Sequence, residues 1–159
     1  MDNKELAQDA IERARECIQN CKFDDALELL ERAQDYDMEN YEVFYELGRL
    51  YFELGDYPSS IAAYENLIEH KQSAIFYYNL AQSYEANNDI DKAIGQYIIS
   101  LTLNDKFAPA HKKLATCFLA RGDKDDAIDY FKSYLELDIP EIEKTGVTKV
   151  LERLENGKS

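Results

Sequence analysis

The sequence predicts an all-α chain built as a solenoid of stacked helix pairs, and three observations carry that prediction. The first is a repeated pattern. Leu80-Ala81, Tyr84, Asn88-Asp89, Ala93 and Tyr97 are matched by Leu47-Gly48, Tyr51, Gly55-Asp56, Ser60 and Tyr64. One unit earlier the same roles fall to Arg13-Ala14, Cys17, Cys21-Lys22, Ala26 and Leu30, and one unit later to Leu114-Ala115, Phe118, Gly122-Asp123, Ala127 and Phe131. The units begin at Ala7, Tyr41, Ala74 and Ala108, at offsets of 34, 33 and 34 residues. A fixed period of this size marks supersecondary units that bury their apolar faces only by stacking. The second observation is helical apolar spacing in each half of a unit. The third is the polar turn that separates the halves. Nine helices and no sheet are expected.

The first helix is expected over Glu5 to Asn20, with Leu6, Ala10, Ala14 and Cys17 along a narrow inner side that suits a terminal unit. Asp24 and Asp25 open its partner, where carboxylates favour the positive end of the helix dipole. That helix runs to about Asp37 with Leu27, Leu30 and Ala33 inward. In unit two, Phe44, Leu47, Gly48 and Tyr51 face the core. Gly48 stands in mid-helix at a cost of roughly 1 kcal/mol against alanine, which predicts close approach of the second helix. Pro58 falls in that helix's first turn, where a missing N–H is harmless, and the helix ends near His70, one residue early, so the junction before Ser73-Ala74 should differ. Unit three is expected to place helices over Ala74 to Ala86 and Asp89 to Leu103. Asn87-Asn88-Asp89-Ile90-Asp91 alternates oxygen ligands like a calcium loop. Lys92 stands where that loop needs glycine, so the stretch reads as a turn with a helix cap. Unit four runs from Ala108, with Pro109 in its first turn, to about Leu137. Beyond Pro140 the period stops, but Val147, Val150, Leu151 and Leu154 form an apolar stripe suited to covering the end of the stack. Asn156-Gly157 is the expected stop.

Composition narrows the function. The 159-residue chain has 18 Lys and Arg against 32 Asp and Glu, a net charge of −14. Such a surface repels phosphate backbones and anionic headgroups, so neither nucleic acid nor membrane is expected as a partner. Met1 to Glu5 lack a basic region leading into an apolar run, so no secretory signal is expected. Three cysteines, Cys17, Cys21 and Cys117, in a chain that needs no staples point to a reducing, cytoplasmic setting. Cys17 and Cys21 are too few ligands for zinc, and no nucleophile with its base or phosphate loop is present. A non-catalytic chain without cofactor or metal is expected.

The small-residue ladder, the turns Gly55-Asp56 and Gly122-Asp123, and the second-helix alanine followed by an aromatic together resemble the tetratricopeptide repeat family. The resemblance divides a single domain, residues 1–159, into repeats 7–40, 41–73, 74–107 and 108–138 and a capping helix over 140–156. No repeat closes with the family's common proline, and Ser60 and Leu67 replace two expected alanines. The resemblance implies a right-handed superhelix of antiparallel helix pairs whose first helices line a concave groove, the place where such proteins hold an extended peptide or a partner helix. It implies an adaptor; the alternative is a holding chaperone for one client. Some members grip a free carboxy-terminal carboxylate with a clamp of two lysines, two asparagines and an arginine. Here Asn79 matches and Lys113 stands for the arginine, but Tyr45, Arg49 and Pro109 break the pattern.

Helical arithmetic at about 100° per residue assigns groove-facing residues independently. Tyr45, Arg49 and Phe52 leave the core arc in unit two, with Glu42 at its edge. Ile75, Tyr78, Gln82 and Glu85 share that arc in unit three, with Asn79 beside it. Unit one supplies Ile11, Arg15 and Ile18, and unit four Lys112, Thr116 and Leu119, with Lys113 beside it. Arg15, Arg49, Lys112 and Lys113 beside apolar Ile11, Tyr45, Phe52, Ile75 and Tyr78 predict a protein or peptide ligand bearing a carboxylate and apolar side chains. The chain itself is expected to be a monomer or weak oligomer.

Overall fold

The structure, a computed structural model, describes residues 1–157. Among them are nine helices and no strand: α1 (Asn3–Gln19), α2 (Phe23–Tyr36), α3 (Tyr41–Glu53), α4 (Tyr57–His70), α5 (Ala74–Ala86), α6 (Ile90–Leu103), α7 (Ala108–Arg121), α8 (Lys124–Leu135) and α9 (Glu141–Asn156). Each odd helix up to α7 packs on the even helix that follows it. Each even helix packs in turn on the next odd one, with α8 against α9. The stack therefore has two faces, one built by α1, α3, α5 and α7 and the other by their partners.

Local chemistry explains where the helices begin and turn. The first starts at Asn3 rather than Glu5 because Asp2 and Glu5 close a capping box, each side chain accepting the other's backbone N–H at 2.9 and 2.8 Å. Asn40 caps α3 and Asp56 caps α4 through their side chains. At Asp89 the expected cap bond is missing, since Asn87 Nδ2 donates to that carboxylate at 2.8 Å instead. Within the four pairs the reversals place Cys21, Gly55, Asn88 and Gly122 at φ of 56°, 75°, 65° and 95°. Left-handed backbone at one position per unit is what lets each pair fold back on itself. Lys71-Gln72-Ser73 joins α4 to α5, one residue shorter than the corresponding links before α3 and α7. The unequal period at this point is thus absorbed in a connection. Gly157, at φ −77°, follows α9 without the left-handed turn.

Small residues dominate the amino-terminal core, where Ala7, Ala10, Ala14, Ala26 and Ala33 surround Ile11, Leu30, Val43, Leu47 and Leu50. The central core is larger, with Phe44, Tyr64, Leu67, Leu80, Tyr84, Tyr97, Leu114 and Phe118 spanning units two to four. At the other end Val147 and Leu151 of α9 close over Ile128, Phe131, Tyr134 and Ile139, with Val150 and Leu154 partly buried beside them.

At Gly48 α3 and α4 approach each other closely. A Cβ there would lie 2.7 Å from Cε1 and Cζ of Tyr64, a ring that is itself buried. Ser60 exploits the same approach, donating its hydroxyl to the Gly48 carbonyl at 2.7 Å and lying 2.8 Å from Ser83 Oγ. The serine in place of the family's alanine is therefore a satisfied buried polar group. Gly48→Ala gains roughly 1 kcal/mol of helix propensity but overpacks a ring that cannot swing away. A net loss of about 1–2 kcal/mol is expected, read from urea denaturation. A Gly48→Ala variant more stable than the parent would show that the α3–α4 contact is loose.

Candidate functional site

The inner face carries a row of hollows between successive odd helices. Arg15, Ile18, Gln19, Glu46 and Arg49 bound one of about 120 Å³ between α1 and α3. A second, of about 190 Å³, lies between α3 and α5 and is lined by Tyr45, Arg49, Phe52, Glu53, Tyr64, Asn79 and Gln82. The third and largest, about 580 Å³, opens where Tyr78 of α5 and Pro109, Lys112, Lys113 and Thr116 of α7 meet Tyr134, Asp138, Ile139 and Glu143. Five of the residues assigned to the groove from sequence, Tyr45, Arg49, Phe52, Asn79 and Gln82, thus share one hollow, and Tyr78, Lys112 and Lys113 share another.

The aromatic members are braced from below. Tyr45 packs on the rings of Tyr64 and Phe76 at 6.5 and 5.6 Å, and Phe52 on Tyr57 at 5.5 Å. Tyr78 lies between Tyr97 and Phe107 at 5.5 and 5.2 Å. Each ring is half-buried, so part of its surface stays open to solvent.

One expectation needs correction. Ile11 is fully buried. Its short side chain is sealed into the cluster with Val43 and Leu47 of α3, so the first unit offers no apolar surface at this position. Ile75 is exposed on α5.

The cations are also differently placed from what a carboxylate ligand requires, because each already holds a carboxylate of this chain. Arg15 donates from Nε to Glu46 Oε1 at 2.7 Å and from a terminal nitrogen to Glu42 at 3.0 Å, while Arg49 reaches the other Glu46 oxygen at 3.3 Å. Glu46 is 1% exposed, and two guanidinium groups are what make a buried carboxylate tolerable there. Lys113 pairs with Glu85 at 3.1 Å, and the Tyr97 hydroxyl donates to the same carboxylate at 2.7 Å. Lys112 pairs with Glu143 at 3.0 Å, and Glu143 also accepts the Tyr134 hydroxyl. Sequence reasoning missed Glu46 and Glu143. A signal was present: Arg15 to Glu46 and Lys112 to Glu143 are both separated by 31 residues, one repeat less one helical turn.

Residues 11–75, 45–101 and 78–141 each match the tetratricopeptide repeat family. The chain belongs to the tetratricopeptide repeat family. A crystal structure of MamA protein superposes with a TM-score of 0.85 at 20% identity, over 96% of this chain and 84% of that one. The crystal structure of YrrB, a TPR protein with an unusual peptide-binding site, superposes with a TM-score of 0.77 at 16% identity, over 94% of this chain and 78% of that one. For the APC/C hetero-tetramer Cut9-Hcn1 the TM-score is 0.73 at 22% identity, over 91% of this chain and 29% of that one. At such identities the likeness is one of fold: a right-handed solenoid of antiparallel helix pairs. No curated protein matches the sequence. Tetratricopeptide repeats serve as protein–protein interaction modules and are generally non-catalytic. Among the described residues no group of three His, Cys, Asp or Glu is placed to hold a metal ion, and no helix is long and apolar enough to cross a membrane.

Proton affinities in this tetratricopeptide repeat face follow from the pairings. Burial opposes charge on Arg15, but its bonds to Glu46 and Glu42 outweigh that and raise its pKa. Burial, with the bond to Glu143, pushes the Tyr134 hydroxyl up to about 12, so it remains a donor. Glu143 is held below its ordinary 4.5, first by the Tyr134 hydroxyl and then by Lys112. A depressed carboxylate stabilises the fold above its unfolded pKa and loses that contribution as pH falls through its folded pKa. Docking of α9 should therefore weaken below about pH 4.5. Urea midpoints should fall less steeply with acid in Glu143→Gln than in the parent; parallel profiles would show that this carboxylate does not hold α9.

Proposed function

We propose that the concave face of α1, α3, α5 and α7 binds a polypeptide segment of a partner protein, as an extended peptide or a helix, and that the chain works as a monomeric adaptor. The observation that carries this is the state of Asn79 and Gln82. One turn apart on α5, both are half-buried at the hollow between α3 and α5. Neither carboxamide hydrogen-bonds to another group of the described protein, although neighbouring polar side chains do. A carboxamide offers donors and an acceptor together, the complement of a peptide unit. Tyr45, Phe52 and Tyr78 flank the pair with aromatic area, the kind of surface that dominates interface energies.

Arg15, Arg49, Lys112 and Lys113 shape the face through their internal pairs. A carboxylate-bearing ligand would have to displace Glu46, Glu85 or Glu143 to use them, so recognition is assigned to the carboxamides and rings. A cytoplasmic setting is proposed from the sequence, whose three cysteines stand in a chain that needs no disulfide staples. A holding chaperone would use the same face, and suppression of client aggregation at equimolar ratio distinguishes it from an adaptor.

Selection of a random peptide library on the immobilised full chain supplies the probe. Fluorescence anisotropy of an enriched peptide should then show about tenfold weaker binding to an Asn79→Ala, Gln82→Ala double variant, as expected for about 1.4 kcal/mol of lost hydrogen bonding. Phe52→Ala should weaken it similarly, with helical circular dichroism unchanged. Affinity indifferent to all three substitutions would place the binding surface elsewhere.

A further inference from the structure

We infer that the bound segment presents a basic side chain beside an apolar one, and that the hollow between α5, α7 and the α8–α9 connection reads both. This rests on the peptide-binding reading above and adds the chemistry of the ligand. At about 580 Å³ the hollow falls within the size range of specific ligand sites. Its walls are chiefly apolar: the rings of Tyr78 and Tyr134, Pro109, Ile139 and Pro140. A leucine or aromatic side chain entering it would be surrounded on several sides.

The charge balance decides what accompanies that side chain. Lys112 and Lys113 supply two positive charges, but Glu143 and Glu85 neutralise them at 3.0 and 3.1 Å. Asp138 adds a third carboxylate on the rim, exposed and without an ion pair or hydrogen bond among the described residues. Two positive and three negative charges leave one negative charge in excess. The neighbouring hollow repeats the arrangement: Arg49 is held by buried Glu46, and Glu53 stands exposed on the rim without a partner of its own among the described residues. The amino terminus of α7 opposes this with about half a positive charge, less than the excess carboxylate. The remainder of a chain of net charge −14 reinforces it. A segment with Lys or Arg flanking a large apolar residue would place the apolar group between Tyr78 and Tyr134 and its cation at Asp138, leaving every internal pair intact. An acidic segment would have to break them.

The test uses the full chain and the same unbiased random peptide library. Enriched peptides should carry Lys or Arg next to Leu, Phe, Tyr or Trp. A representative should bind about tenfold more weakly to Asp138→Lys, a substitution at an exposed position whose helical circular dichroism should match the parent's, and more weakly still to Thr116→Trp, which fills the hollow. Its charge-swapped version, with each Lys or Arg replaced by Glu, should lose binding to the parent, and Asp138→Lys should restore part of it. Enrichment of Asp and Glu, or enriched peptides that ignore both Asp138→Lys and Thr116→Trp but respond to the Asn79, Gln82 double variant, would overturn this inference and leave the peptide-binding reading standing. A selection that enriches nothing sensitive to either set of substitutions overturns both.

Discussion

Tyr97→Ala is expected to destabilise the protein by about 3–5 kcal/mol, the range for deleting a fully buried ring. The side chain is wholly inaccessible and sits in the central core between Tyr64, Leu80 and Leu114, where one cluster joins units two, three and four. Its ring packs against Tyr78 at 5.5 Å, and its hydroxyl donates to Glu85 at 2.7 Å. The truncation therefore opens a cavity, withdraws support from a groove ring and leaves Glu85 with Lys113 alone. Tyr97→Phe separates these effects, since it keeps the packing and removes one hydrogen bond, for which about 1 kcal/mol is expected. Urea denaturation of the pair should show the large step between phenylalanine and alanine. A loss below about 1 kcal/mol for alanine would contradict the claim that packing across units holds the stack together.

Removing α9, from Glu141 to the end of the chain, is the second large effect. Val147 and Leu151 are buried over Phe131, Tyr134 and Ile139, and burial of two such side chains contributes roughly 3–6 kcal/mol. The truncated chain would also lose Glu143, the shared partner of Lys112 and Tyr134. With its terminal apolar face open, it should associate or precipitate at concentrations where the full chain stays dispersed. Light scattering coupled to size exclusion reads this directly, and a monomeric truncation as stable as the parent would reject a covering role for α9.

Much of the architecture was legible because it depends on local rules. One residue per unit at left-handed φ follows from the turn positions, and the pattern holds even at Cys21 and Asn88, where glycine is absent. The small residue at Gly48 signalled a close approach, and the ring of Tyr64 supplies it. The stripe of Val147 and Leu151 signalled a cover. The groove was less legible, because helical arithmetic gives the direction of a side chain but not what lies at its tip. Ile11 points along the same arc as Tyr45 and Tyr78, yet α3 seals it, since a short aliphatic chain does not reach past the seam between helices. Arg15, Arg49, Lys112 and Lys113 were visible as a track of positive charge. The partners of Arg15, Lys112 and Lys113 lie about one repeat away, and Glu46, only three residues from Arg49, is buried as a shared partner only once α1 packs on α3, so the neutralising charges stayed hidden until the units were stacked.

The central claim is that the face of the odd helices, and not the outside of the stack, meets the partner. Hydrogen-exchange protection measured on the full chain with and without an enriched library peptide addresses it residue by residue. Protection should concentrate on residues 41–53, 74–86 and 108–121, strongest around Phe52, Asn79 and Gln82, and reach the end of α8 and its connection to α9, with α2, α4 and α6 unchanged. Protection centred instead on the outer side of α6, where Ile98, Ile99 and Leu103 are exposed, would contradict the account and move the functional surface to the opposite face.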